Sequence, residues 1–180
     1  MTHAAGTVFT LRSPGVVGWW IRFLTRSRMN HAGICLGDTH TVEAQAAGAV
    51  RKTEHMVGMD VDFGTSLWVR IERLAPKRSA AIAEEAEKLL GARYGWLDLL
   101  AVAWACRNDP TGPIVKPNRW QRRLMRDDRL ICSQLVDLAC LRAGVHLFTD
   151  GRLPGSVTPG DIQDVLANGD WPIVIDKLQP

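Results

Sequence analysis

The hydrophobic rhythm of this chain changes part-way along, and that change restricts the fold more than any single residue. Upstream of Ala75-Pro76 most apolar residues fall in short runs with a period of two; downstream they follow the helical period. Strands early and helices late specify an α+β fold, a small antiparallel sheet packed against helices. Residues 7–12 (Thr-Val-Phe-Thr-Leu-Arg) read as a first strand. Ser13-Pro14 then reads as an N-cap followed by proline at the first helical position, opening a helix to about Arg26. That helix carries Trp19, Trp20 and Phe23 and ends in arginines, as a membrane-surface helix would, but burial in the core is the simpler expectation. Residues 31–36 and 39–45 form two runs around Gly37-Asp38, a hairpin signature. Residues 49–52 suggest an edge strand, and 67–73 are the clearest strand of all.

The later half is punctuated differently. An amphipathic helix is expected over 79–90, ended by Gly91, and a second, more buried one over 97–106. A turn-rich loop over 108–117 reads as a rim or lid. The helix opened by Cys132 runs to Gly144, Thr158-Pro159-Gly-Asp161 starts a last one to about Leu166, and 171–175 suggests a closing strand. With 180 residues, 46% of them hydrophobic, the chain is expected to form a single domain over 1–180.

Composition excludes several classes. The net charge of +3 is mild. Arg22, Arg26 and Arg28 form one basic cluster and Arg119, Arg122, Arg123, Arg126 and Arg129 another, but no aromatic-and-basic module accompanies them, so nucleic acid is not an expected partner. No segment has the length of an apolar membrane span, and the N-terminus lacks the pattern of a signal peptide, which suggests a cytoplasmic or phage-associated protein. Cys35, Cys106, Cys132 and Cys140 have neither CxxC nor zinc-ligand spacing. All four are expected reduced, with Cys35, Cys106 and Cys140 as small core residues and no metal or cofactor required.

Cys132 is different because it stands in the first turn of its helix. Unpaired backbone N–H groups there carry partial positive charge and favour the thiolate, the form that attacks carbonyls. Thiol catalysis also needs a base and a polar group that orients it. His31 heads a strand in Met29-Asn-His-Ala-Gly-Ile-Cys-Leu-Gly37, where its ring can reach a facing helix. On the next strand Thr41, Glu43 and Gln45 share a face, so Glu43 can accept a hydrogen bond from His31 across the hairpin. Gln45 and His40 are rivals for that role. His3, His55 and His146, like His40, lack a comparable setting and are expected on the surface or in loops.

The order His31-Ala-Gly-Ile34, then Val42-Glu43-Ala44, then Ile131-Cys132-Ser133-Gln-Leu-Val136 resembles the circularly permuted NlpC/P60 superfamily of papain-like cysteine hydrolases. The similarity is to its YiiX-like group and, more distantly, to lecithin:retinol acyltransferase. Tyr94-Gly-Trp-Leu-Asp98 and Thr158-Pro159-Gly-Asp161 extend the resemblance over roughly 7–165. It implies Cys132 as nucleophile, His31 as general base and Glu43 as the orienting third member. It further implies that Tyr94 polarises the substrate carbonyl and that Ser133 belongs to the oxyanion and substrate side of the site. The stretch from Asn108 to Arg129, Pro-rich and then basic, has no counterpart in that scheme.

The expected reaction is acyl transfer through a Cys132 thioester. A peptidoglycan-type peptide amidase or endopeptidase is the first expectation. A lipid or acyl-ester hydrolase or acyltransferase is the second, and a non-catalytic binding or assembly module the third. The partner is accordingly a peptide or acyl substrate, drawn from cell wall or lipid.

Overall fold

A computed structural model of the chain describes residues 3–37, 39–45, 50–54, 66–69, 76–108 and 129–168. The architecture is mixed α+β. Five strands, β1 (Val8–Leu11), β2 (His31–Cys35), β3 (His40–Ala44), β4 (Val50–Glu54) and β5 (Ser66–Val69), form an antiparallel sheet in the order β4-β3-β2-β1-β5. Around it lie α1 (Val16–Thr25), α2 (Pro76–Glu87), α3 (Trp96–Asn108), α4 (Cys132–Arg142) and α5 (Pro159–Asn168). A separate parallel ladder pairs β6 (Arg93–Tyr94) with β7 (Arg129–Leu130). Among the described residues no helix is long and apolar enough to cross a membrane.

The period of two divides the central strands between two faces. Val8, Ala32, Ile34, Val42 and Ala44 enter the main core, where they meet Leu135, Val136 and Ala139 of α4 and Ile82 and Ala86 of α2. Phe9, Leu11 and Cys35 form a small cluster on the other face. β1 is therefore buried along its whole length, and α4, buried from Cys132 to Cys140, is the central helix. Burying that helix stabilises the fold by about 0.8 kcal/mol per methylene. The last helix has the N-terminal signature its sequence suggests: Thr158 Oγ1 accepts from Asp161 N–H at 3.1 Å, and Asp161 Oδ2 accepts from Thr158 N–H at 2.8 Å.

Three expectations are corrected. The first helix does not start at Ser13-Pro14. Asn30 Oδ1 accepts from Ser13 N–H at 2.7 Å and Asn30 Nδ2 donates to Ser13 C=O at 3.2 Å, so Ser13 is tied to the strand side. The chain turns into α1 only at Gly15, whose φ of 101° suits glycine. Second, neither α1 nor α3 is a core helix throughout. Trp19, Trp20 and Phe23 on α1, and Leu97, Leu100 and Trp104 on α3, are about half exposed or more. Third, Cys35 and Cys140 are buried but Cys106 is only half-buried; all four cysteines are free thiols. Asp38, His55, 70–73, 109–128 and the expected strand at 171–175 lie outside the described residues.

Candidate active site

His31 opens β2, and the ladder pairs Gly33 with Glu43. His31 shares a face with Gly33, so Glu43 is its diagonal neighbour across the hairpin. His31 Nε2 lies 2.7 Å from Glu43 Oε2. Gly33 makes the approach possible. A Cβ there would stand 2.5 Å from Phe9 Cζ and 3.0 Å from Glu43 Cγ. Phe9 and Glu43 occupy the space that a side chain at 33 would need.

Glu43 is itself held. Thr41 Oγ1 donates to Glu43 Oε1, and Gln45 makes a further hydrogen bond to the carboxylate. Burial opposes the charge of Glu43, but the hydrogen bond and charge of His31, then Thr41 and Gln45, keep its carboxyl below the usual range. Gln45 therefore supports Glu43 and does not replace it. His40 begins β3 at the turn end of the hairpin, away from the open end where His31 stands.

Cys132 meets His31 at that open end. Burial opposes an imidazolium, but hydrogen bonds to Cys132 and Glu43, reinforced by their charges, push the His31 pKa up to about 10. With Nε2 on Glu43, Nδ1 is the nitrogen left for the thiol. Cys132 follows the extended Ile131 as the first residue of α4 and is 4% exposed, with Sγ 4.0 Å from the Asn30 carbonyl oxygen. Its backbone N–H belongs to the turn that has no intrahelical acceptor.

The parallel ladder sets Tyr94 beside this helix start. Tyr94 pairs with Leu130, and Gly95 N–H donates to Leu130 C=O at 3.1 Å. Burial, and secondarily the charge of Cys132, push the Tyr94 phenol well above its ordinary range, so it stays protonated and able to donate. Tyr94 and Cys132 line one cavity of about 10 Å³ with Ile21, Thr25, Leu99 and Val157. Its accessible lining is apolar, and it is no larger than one water-sized space.

Ser133 borders the same cavity, but its side chain is fully buried and its hydroxyl donates to Val157 C=O at 2.5 Å. That bond fastens the start of α4 to the segment before α5, so the hydroxyl is not a free donor for an oxyanion. Asn30 was not singled out by the sequence. It joins Sγ, Ser13 and the neighbourhood of Gly18, where a Cβ would stand 2.1 Å from Asn30 Nδ2. Only its place next to His31 could have pointed to it.

The constellation is thus thiol, imidazole and carboxylate in sequence, with a protonated phenol beside the thiol. No protein-family model matches the chain, and no curated protein matches it.

Proposed function

We propose that this protein is a cysteine hydrolase with a permuted papain-like (NlpC/P60-type) fold. The observation that carries the reading is the continuous chain of hydrogen bonds from Cys132 through His31 to Glu43, with the carboxylate braced by Thr41 and Gln45. In the proposed reaction His31 Nδ1 takes the Cys132 proton and Sγ attacks an amide or ester carbonyl. In this reaction the Cys132 backbone N–H and the Tyr94 hydroxyl stabilise the oxyanion. Collapse of the tetrahedral intermediate expels the amine or alcohol, which receives its proton from His31. Water, deprotonated by His31, then releases the acyl group from the thioester. Glu43 holds the ring in one orientation and offsets the imidazolium charge.

A peptide amide of the peptidoglycan type is the substrate expected from the resemblance. A second reading, an acyl ester or lipid amide, is favoured by the exposed aromatic residues Trp19, Trp20 and Phe23 of α1 beside the exposed Arg26 and Arg28, which suit an interfacial substrate. Purified sacculi, and panels of acyl esters and phospholipids, incubated with wild type and Cys132→Ala, test the proposal. Product formed by wild type and abolished in Cys132→Ala supports it and identifies the bond. Iodoacetamide labelling provides the counter-test. A Cys132 that reacts at neutral pH no faster than free cysteine, with no product from any panel, makes the protein a binding module instead.

A further inference from the structure

Helices α1 and α3 pack side by side, and both turn apolar residues outward. On α1, Val16 is 72%, Trp19 50%, Trp20 49% and Phe23 54% exposed. On α3, Trp96 is 47%, Leu100 58% and Trp104 63% exposed. Each helix buries a different stripe, Gly18, Ile21 and Thr25 on α1 and Leu99 and Val102 on α3. Scattered exposed apolar residues are ordinary, but a contiguous face across two adjacent helices marks an interaction surface. The rings are also ordered on one another: Trp19 stacks on Phe23 at 5.3 Å, and Trp20 meets the edge of each.

The charges around this face select its partner. Residues 16–28 contain Arg22, Arg26 and Arg28 and no acid. Arg26 and Arg28 are exposed just beyond the end of α1, where Arg26 is the left-handed C-cap residue and lies near enough to Cys106 of α3 to act on its thiol. The one acid of α3, Asp98, is 2% exposed. A second copy of the chain would bring arginines against arginines across an isologous contact. Anionic headgroups would neutralise them, while tryptophan and phenylalanine enter the boundary between headgroups and acyl chains.

We propose that the α1–α3 face docks the protein on an anionic phospholipid surface. The docking goes beyond the hydrolase reading and does not need Cys132 to react. It does bear on that reading. Trp96 contacts Tyr94 at 5.0 Å between ring centroids, and Ile21, Leu99 and Val102 reach from the two docking helices into the cavity at Cys132. The two docking helices thus turn one face outward and contribute their buried stripes to the wall of the cavity at Cys132.

Flotation with vesicles of phosphatidylcholine containing phosphatidylglycerol, against vesicles of phosphatidylcholine alone, tests the docking. Wild type and Cys132→Ala are expected to float equally with the anionic vesicles, so loss of catalysis and loss of docking are separated. Trp19→Ser with Phe23→Ser, and independently Trp104→Ser, should each weaken partitioning by about tenfold or more. Arg26→Glu with Arg28→Glu should do the same on anionic vesicles and change little on neutral ones. Circular dichroism melts verify that the variants fold, and Trp104→Ser retains the test if the α1 variant does not. Wild type that stays unbound, aromatic variants that bind like wild type, or a dimer dispersed by these substitutions without vesicle binding would overturn the proposal. Equal binding to both vesicle types, unaffected by the arginine reversals, would overturn its anionic part.

Discussion

Glu43 lies opposite Gly33 in the β2–β3 ladder, yet its carboxylate is 2.7 Å from the Nε2 of His31. The diagonal contact exists because position 33 has no side chain. The His31–Glu43 pair therefore depends on a glycine that carries no chemistry. Gly33→Ala is expected to push a methyl group into Phe9 and Glu43, costing about 1–3 kcal/mol of stability. It should also slow alkylation of Cys132 by iodoacetamide. Urea denaturation and labelling rates check the two effects. A variant as stable and as reactive as wild type would show that the sheet yields without disturbing the pair.

Glu43→Gln removes the carboxylate charge and retains the size of the side chain. If Glu43 orients and stabilises His31, turnover on the substrate identified with wild type should fall by roughly 10²- to 10⁴-fold. The thermal midpoint should change far less than for a core truncation. Gln45→Ala, one step further from the ring, should cost activity only modestly. Equal losses from the two changes would mean that the brace, and not the charge, is what matters.

Ser133→Ala distinguishes a structural hydroxyl from a substrate-facing one. The Val157 carbonyl would lose its buried donor, which costs about 1–3 kcal/mol. The alkylation rate of Cys132 should remain close to wild type. A stable variant with lost turnover would return Ser133 to the oxyanion side.

The division into strands and helices was legible because alternation and helical period are local properties. The elements of the candidate site were legible for the same reason: His31 and Glu43 lie on adjacent strands of one hairpin, and Cys132 opens a helix. What the sequence could not carry were long-range choices. Whether Ser13 enters the helix is decided by the side chain of Asn30, seventeen positions away. Whether Ser133 faces a substrate is decided by Val157. The outward faces of α1 and α3 were misjudged for a related reason: helices that are apolar on every side read as core, and only their neighbours determine which stripe is covered.

The pair also sets a pH dependence of stability. His31 is raised from 6.5 to about 10, so its contribution is complete below 6.5 and is lost as the pH climbs through about 10. Glu43 is depressed below 4.5, so its contribution is present above 4.5 and lost as the pH falls beneath it. The stability difference between wild type and Glu43→Gln should therefore be largest between 4.5 and 6.5 and shrink on either side. Denaturation midpoints of both proteins from below pH 4.5 to about pH 10 measure it. A difference independent of pH would show that the contact is not ionic.

Asp137 should act in the opposite sense to Glu43. It lies on the buried α4, and burial, with a smaller contribution from Asp150, raises its carboxyl from 3.8 to about 7 against the pull of Arg152. Arg152 is drawn away from it by Asp150 at 2.5 Å and Asp161 at 3.1 Å. A raised carboxyl favours the folded state only while protonated, so the advantage is whole below 3.8 and lost as the pH rises through about 7. Asp137→Asn removes that liability, and above neutrality it should stabilise the protein by roughly 1–4 kcal/mol relative to wild type. The gain should fade as the medium is acidified, which urea titrations at the two ends of the range will show. No gain at the alkaline end would mean that Arg152 turns to Asp137 once it ionises, leaving Asp161 to hold the start of α5 through Thr158 alone.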